Sequence, residues 1–147
     1  MIEIQKIDAH KGDYMLLLLL ADPSETMVAT YLERGDLFVL FVDGTAACVA
    51  VVTDYAPGAC ELKNLATAEP LQNQGYASRM LHFLFDRFAK QYAVMYVGTS
   101  KYMTSYYRRF GFVPSHVVER FFVDFYPEPI FENGDPCIDM LYLKRNL

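Results

Sequence analysis

Tryptophan is absent from this 147-residue chain, and cysteine occurs three times. Cys48, Cys60 and Cys137 are an odd number with no Cys-x-x-Cys spacing, which argues for three reduced thiols over a disulfide framework. Histidine is as scarce: His10, His82 and His116 are scattered and form no ligand spacing with the cysteines, so no metal is expected. Basic residues are outnumbered, 13 Lys and Arg against 18 Asp and Glu, for a formal charge of −5. That balance argues against a nucleic-acid binder, which needs a basic face to neutralise phosphates. The acidic balance suits a cationic partner, which acidic clefts steer inward, and serves solubility equally well. Long apolar runs are missing too. The most apolar stretch, Tyr14 to Ala21, is bounded by Asp13 and Asp22 and falls short of the ~20 residues a membrane span requires. Glu3 and Asp8 precede it and Pro23 closes it, unlike the basic start and small-residue cleavage site of a signal peptide. A cytoplasmic protein is expected. No Gly-x-Ser-x-Gly elbow or Ser/His/Asp order is present, and Cys60 carries no signature of covalent catalysis.

What the chain does have is core-forming material: 53% hydrophobic and 15% aromatic residues against 21% charged. That composition excludes disorder and fibrous repeats, and the length predicts one domain over residues 1–147. Ile2 to Ile7 alternates as a half-buried strand. The leucines from Leu16 to Leu20 predict a short buried helix ended by Pro23. Ser24 then offers an N-cap to a second helix that Gly35 stops. Strands follow over Leu37 to Val42 and Ala46 to Thr53, joined by the hairpin signal Asp43-Gly44, and then over Cys60 to Ala66. From Gln74 to Gln91 runs the longest helical pattern, with Met80, Leu81, Leu84, Phe85 and Phe88 on one stripe. A strand over Ala93 to Gly98, a short helix over Lys101 to Phe110, and strands over Val117 to Phe125 and Cys137 to Leu143 complete the prediction. The fold class is α/β, with a sheet rich in hairpins.

The informative stretch is Gln72-Asn73-Gln74-Gly75-Tyr76-Ala77, between a strand and the long helix. A helix start leaves backbone N–H groups without partners and carries a positive partial charge, so it is ready to hold a phosphate. Gly75 lets the backbone approach a ligand with no Cβ in the way, and Ala77 keeps a second position small. Neither the three glycines of a dinucleotide fingerprint nor a Gly-Lys-Ser/Thr loop is present. Read alone, the stretch is an anion site or a plain turn.

The order strand, Gln-x-x-Gly-x-Ala, long helix, short strand, short helix, Gly-Phe resembles the GNAT superfamily of N-acetyltransferases. Gln72 to Ala77 resembles that family's pyrophosphate loop, Tyr106-Tyr107-Arg108-Arg109-Phe110-Gly111-Phe112 its second signature, and Glu61 to Thr67 the strand leading into the loop. The resemblance implies an α+β fold with a mixed twisted sheet of about seven strands flanked by about four helices. It implies acetyl-CoA as co-substrate, its pyrophosphate gripped by the backbone of Gln72, Asn73, Gln74, Gly75, Tyr76, Ala77 and Ser78. The pantetheine arm would pair with Leu65, Ala66 and Thr67, and a splay between this strand and the next would admit the thioester. Tyr107 takes the place of the tyrosine that protonates the departing thiolate; otherwise it is an aromatic packed at a helix end, and Tyr106 is a rival. Glu61 takes the place of a general base, or is a polar residue on the solvent side of its strand. Ser100 stands where family members often carry an Asn that contacts the cofactor. Arg109 reaches a CoA phosphate or is a solvated helix end.

The resemblance thus implies direct acetyl transfer to a primary amine of a small molecule or peptide. The rivals are a non-catalytic acyl-CoA sensor and a plain interaction domain. Along the tail, Asp124, Glu128, Glu132, Asp135 and Asp139 alternate with aromatics. That mixture suits a cationic amine, or closes the sheet edge as a solvated loop, or packs a dimer seam. Homodimers are common in the family, and no residue run marks an interface.

Overall fold

The computed structural model describes residues 1–147. In chain order, β1 (Ile2–Ile7) leads through a 3-10 turn into α1 (Met15–Ala21) and α2 (Glu25–Leu32). Then come β2 (Asp36–Val42), β3 (Thr45–Ala56), β4 (Ala59–Thr67), α3 (Tyr76–Phe88), β5 (Val94–Thr99) and α4 (Thr104–Arg108). The chain ends with β6 (Val113–Val118), α5 (Phe121–Asp124), the two-residue strands β7 (Phe131–Glu132) and β8 (Asp135–Pro136), and β9 (Met140–Asn146). Seven strands form one mixed sheet in the order β1-β2-β3-β4-β5-β9-β6, in which only the β4–β5 pair is parallel. No helix is long and apolar enough to cross a membrane.

The near-continuous apolar runs of β2 and β3 follow from burial on both faces. Phe38, Leu40, Cys48, Ala50 and Val52 face a core shared with α3, where Met80, Leu81, Leu84, Phe85 and Phe88 are all buried. Leu37, Val39, Val49 and Val51 alternate with them onto the opposite core, beneath Leu18, Val28, Tyr31 and Leu32. At roughly 1.5–3 kcal/mol for each fully buried large apolar side chain, the α3 stripe alone anchors that helix. At Asp43-Gly44 both residues take positive φ, 49° and 83°, as a two-residue hairpin whose twist matches its strands requires. Ser24 caps α2, its hydroxyl accepting from the Met27 N–H at 3.1 Å.

Several boundaries differ from the sequence reading. The leucine run is helical but buries only Leu18 fully; Leu16 is 85% exposed, because the helix turns one edge to the sheet. The expected strand Val117 to Phe125 is instead the end of β6 followed by α5. Arg120 adopts the left-handed conformation, its N–H held by the Asp139 carboxylate at 2.9 Å, and the chain coils there instead of extending. The last strand starts at Met140, not Cys137, since it pairs with β5 from Thr99 and with β6 from Val118. The helix expected over Lys101 to Phe110 contracts to Thr104–Arg108. Gly35 ends α2 through close approach: a Cβ there would meet the Tyr31 carbonyl oxygen at 2.8 Å. The carbonyl end of α2 and the turn after it are capped from outside, by Lys11 Nζ donating to the carbonyls of Leu32, Glu33 and Gly35 at 2.8–3.2 Å. All three cysteines are free and buried.

Candidate active site

The parallel pairing of β4 with β5 covers only Ala59↔Val94 to Leu62↔Val97. Beyond that, β4 continues beside β3 as far as Cys48↔Thr67, while β5 continues beside β9 as far as Thr99↔Leu141. The two strands therefore part. Leu62 and Asn64 oppose the adjacent residues Val52 and Val51, which makes Lys63 the extra residue of a β-bulge that bends β4 away. In the opening lies a cavity of about 440 Å³, with Leu65, Ala66 and Thr67 on one wall and Val97, Gly98 and Thr99 on the other. Backbone N–H and C=O groups on this edge of β4 have no strand partner, which is the arrangement an extended amide-bearing chain can pair with.

A second cavity, of about 520 Å³, sits over the start of α3 and is lined by Gln72, Asn73, Gly75, Tyr76, Ala77 and Ser78. Gly75 is the N-cap of α3, in a left-handed conformation with φ 86°, and no side chain caps the helix. A Cβ at Gly75 would meet nothing within 4 Å, so the space above it is open. The side chains of Gln72 and Gln74 turn backwards, donating to the carbonyls of Thr67 at 3.1 Å and Pro70 at 3.3 Å. They brace the loop, leaving the first-turn N–H groups of a 13-residue helix turned to the cavity with the positive end of its dipole. Arg109, stacked 5.2 Å from the Tyr106 ring centroid, also lines it. Of the expected loop residues, Gln74 alone lies outside the lining.

Leu65, Thr67, Gln72, Met103 and Tyr107 line both cavities, so the two form one cleft with Tyr107 at the junction. Gly111, at φ 90°, turns the chain so that Phe112 enters the core beneath α3. The Tyr107 ring packs edge-on to Phe112 at 5.7 Å and to Tyr106 at 5.3 Å, which fixes its direction. Tyr107 is 7% exposed, and burial, then Tyr106 and Cys48, push its hydroxyl above the usual tyrosine range. It keeps its proton at neutral pH. Its rival Tyr106 lines only the loop cavity.

Glu61 is 6% exposed and lines neither cavity. Its Oε2 accepts from the Tyr142 hydroxyl at 2.9 Å and from Lys63 Nζ at 3.4 Å, and Lys63 does line the first cavity. Glu61 is thus one side chain removed from the cleft.

The far wall of the first cavity comes from the α1–α2 turn and the tail. Asp22 accepts from the hydroxyls of Tyr31 at 2.8 Å and Tyr126 at 2.9 Å, tying the tail to the turn. Ser100 donates to Glu132 at 2.8 Å, tying the tail to the end of β5. The tail carboxylates thereby sort themselves. Glu132 lines the cavity and Glu128 an outer vestibule, whereas Asp124 pairs with Arg120, Asp135 accepts from Tyr102, and Asp139 accepts from the Arg120 N–H. Asp22, Asn64 and Tyr126 are cavity residues that the sequence reading did not single out. Asn64 did leave a signal, a polar amide in the middle of a buried strand. No group of three or more His, Cys, Asp or Glu is placed to hold a metal ion.

The family model described as "Acetyltransferase (GNAT) domain" matches residues 33–114, more than half of the chain and all of the splay, loop and Tyr107 region. The chain belongs to the GNAT acetyltransferase family. It is similar to the uncharacterised N-acetyltransferase YvbK of Bacillus subtilis (strain 168), 36% identical over 135 residues, 89% of this chain and 87% of that protein. Among solved structures, a GNAT family acetyltransferase from Elizabethkingia anophelis, with acetyl-CoA bound, superposes with a TM-score of 0.94 at 33% identity, covering 99% of this chain and 98% of that one. The Bacillus subtilis acetyltransferase in complex with CoA gives 0.91 at 31%, covering 100% and 99%. The mixed α/β architecture is thus that of the GNAT fold, with the parted strands and the uncapped α3 start on the matched part of the chain.

Proposed function

We propose that residues 1–147 work as one GNAT unit that transfers the acetyl group of acetyl-CoA directly to a primary amine of a small molecule or peptide. The observation that carries this reading is the continuous cleft in which the unpaired edge of β4 and the uncapped start of α3 meet at Tyr107. The backbone from Gln72 to Ser78 grips the pyrophosphate, with Arg109 supplying a charge-assisted bond to a phosphate. Leu65, Ala66 and Thr67 pair with the pantetheine arm and present the thioester to the splay.

In the reaction the neutral amine attacks the thioester carbon, the C–N bond forms and the C–S bond breaks. Tyr107 gives its proton to the departing thiolate. The proton lost by the amine passes by water along the Lys63 wall to Glu61. The acidic side of the cavity, Asp22 and Glu132, supports an acceptor that is cationic. The test is acetyl-CoA with a panel of primary amines, following free thiol. Amine-dependent thiol release that falls about 10²-fold in Glu61→Gln supports the assignment. Saturable acetyl-CoA binding with no release for any amine would leave a sensor in place of an enzyme.

A further inference from the structure

Tyr142 lines neither cavity and has no task in the transfer, yet it reaches Glu61 by an unusual route. It stands on β9, opposite Gly98 of β5 and His116 of β6, while Glu61 stands on β4 opposite Tyr96 of β5. The two side chains start two strands apart, about 10 Å at the usual strand spacing of about 4.8 Å. They meet across β5: the Tyr142 hydroxyl donates to Glu61 Oε2 at 2.9 Å, and the two residues are 8% and 6% exposed. Gly98 leaves the way open. A Cβ there would lie 2.9 Å from Tyr142 Cζ and 2.5 Å from Met140 Sδ, so any larger residue would displace the tyrosine ring or Met140.

The ring is braced as well. The His116 imidazole lies parallel to it, 4.6 Å away with 4° between the planes. His116 is itself held at both nitrogens, with Nε2 3.1 Å from the Tyr55 hydroxyl and Nδ1 2.9 Å from Ser115 Oγ, and Tyr55 stacks on Tyr96 at 4.3 Å. Burial, then Glu61, pushes the Tyr142 hydroxyl above the usual tyrosine range, so it keeps its proton and donates. The bonds to Glu61 from Tyr142 and from Lys63, the latter at 3.4 Å, both fall on Oε2, and neither occupies Oε1. A glutamate side chain is rich in rotamers, and a charge-assisted hydrogen bond from a fixed donor selects one of them.

We infer that Tyr142 is a positioning residue for the transfer: reaching over Gly98, its hydroxyl holds Glu61 by one oxygen and leaves Oε1 to the water that carries the amine's proton. The inference rests on the reading of Glu61 as the base, and the two fail separately.

The test is a double-mutant cycle of wild type, Glu61→Gln, Tyr142→Phe and the two together. Thiol release is followed at saturating acetyl-CoA with n-butylamine, benzylamine and glycinamide as acceptors. Phenylalanine keeps the ring, its stack on His116 and its place over Gly98, and an unchanged acetyl-CoA Kd serves as the folding check. Tyr142→Phe is expected to lower kcat about tenfold, the scale of a hydrogen bond to a charged group, with the KM for the amine within twofold. In the Glu61→Gln background the same change should cost less than twofold, because the hydroxyl acts through the carboxylate. A merely structural tyrosine would lower the rate by the same factor in both backgrounds. That result, or a Tyr142→Phe rate within twofold of wild type, would overturn the inference and leave Glu61 as the base. A Glu61→Gln variant as fast as wild type would remove the base, and the positioning role with it. Independently of turnover, a crystal structure of Tyr142→Phe should show the Glu61 carboxylate displaced or in more than one rotamer; a single, unmoved carboxylate would overturn the inference.

Discussion

Tyr107→Phe removes one oxygen from the junction of the two cavities. The aromatic contacts that hold the ring, to Tyr106 and Phe112, are all retained by phenylalanine. Burial dominates the upward push on the hydroxyl and no hydrogen bond contributes, so the substitution deletes a desolvated group without orphaning a partner. Stability should therefore stay the same or rise by up to about 1 kcal/mol, roughly 2–4 °C in the midpoint for a domain of this size. The chemical step should lose its proton donor. General acid catalysis contributes about 10²–10⁴-fold, or about 3–5.5 kcal/mol of barrier. The assay is steady-state thiol release at saturating acetyl-CoA with a competent amine, paired with thermal unfolding and CoA titration on the same preparation. Tyr107 itself should impose no fall in the wild-type rate between neutral pH and about 10, because a tyrosine pushed above its ordinary value keeps its proton across that window. A variant with kcat within threefold of wild type, unaltered in stability and affinity, would refute the role of Tyr107 as acid.

The other expectations are shorter. Burial pushes the Cys48 and Cys60 thiols up to about 11 and about 12, so a thiol reagent at pH 8 should leave both unreacted in the native protein and titrate them after denaturation; prompt native labelling would contradict their placement. Burial likewise raises Tyr31, Tyr126 and Tyr142, with Asp22 and Glu61 adding to the rise. A raised folded value means stability is intact below the ordinary tyrosine range and is lost as pH rises through the folded values, so urea midpoints should be flat to about pH 10 and then fall; a flat profile to pH 12 would contradict it. Gly35→Ala should cost about 1–3 kcal/mol in chemical denaturation, because the clash is with the backbone oxygen of Tyr31 and cannot relax by a side-chain turn; a neutral effect would show that α2 shifts freely.

Elements written in local pattern were legible in the sequence. The α3 stripe, the Asp43-Gly44 hairpin and the Ser24 cap each depend on residues within one or two turns of chain, and all three are found where the pattern puts them. Between Leu65 and Ser78 the strand, the turn at Gly75 and the helix start were legible in the same way, whereas a cofactor role for them comes only from the resemblance to the GNAT superfamily, since the residues read alone fit a plain turn equally well. What was not legible depends on distant partners. Whether Val117 to Phe125 extends or coils is decided by Asp139, nineteen positions after Arg120. Asp22 reads as the polar end of an apolar run until Tyr126, 104 positions on, donates to it. Glu61 reads equally as a base or as a surface residue, because nothing local says that Tyr142 covers it.

The central claim is that the parted strands and the start of α3 form an acetyl-CoA site. Its most direct test is a titration of the pure protein with acetyl-CoA, by heat and by thermal midpoint, alongside Gly75→Trp. A side chain at Gly75 projects into open space, so it fills the cleft without pressing on the protein, at a backbone cost of about 1–2 kcal/mol for its left-handed φ. At a hundredfold excess over Kd the wild type should gain about 2.7 kcal/mol, roughly 5–10 °C, and the variant should fold and gain nothing. No heat and no shift in the wild type at millimolar ligand, or undiminished binding by Gly75→Trp, would contradict the account.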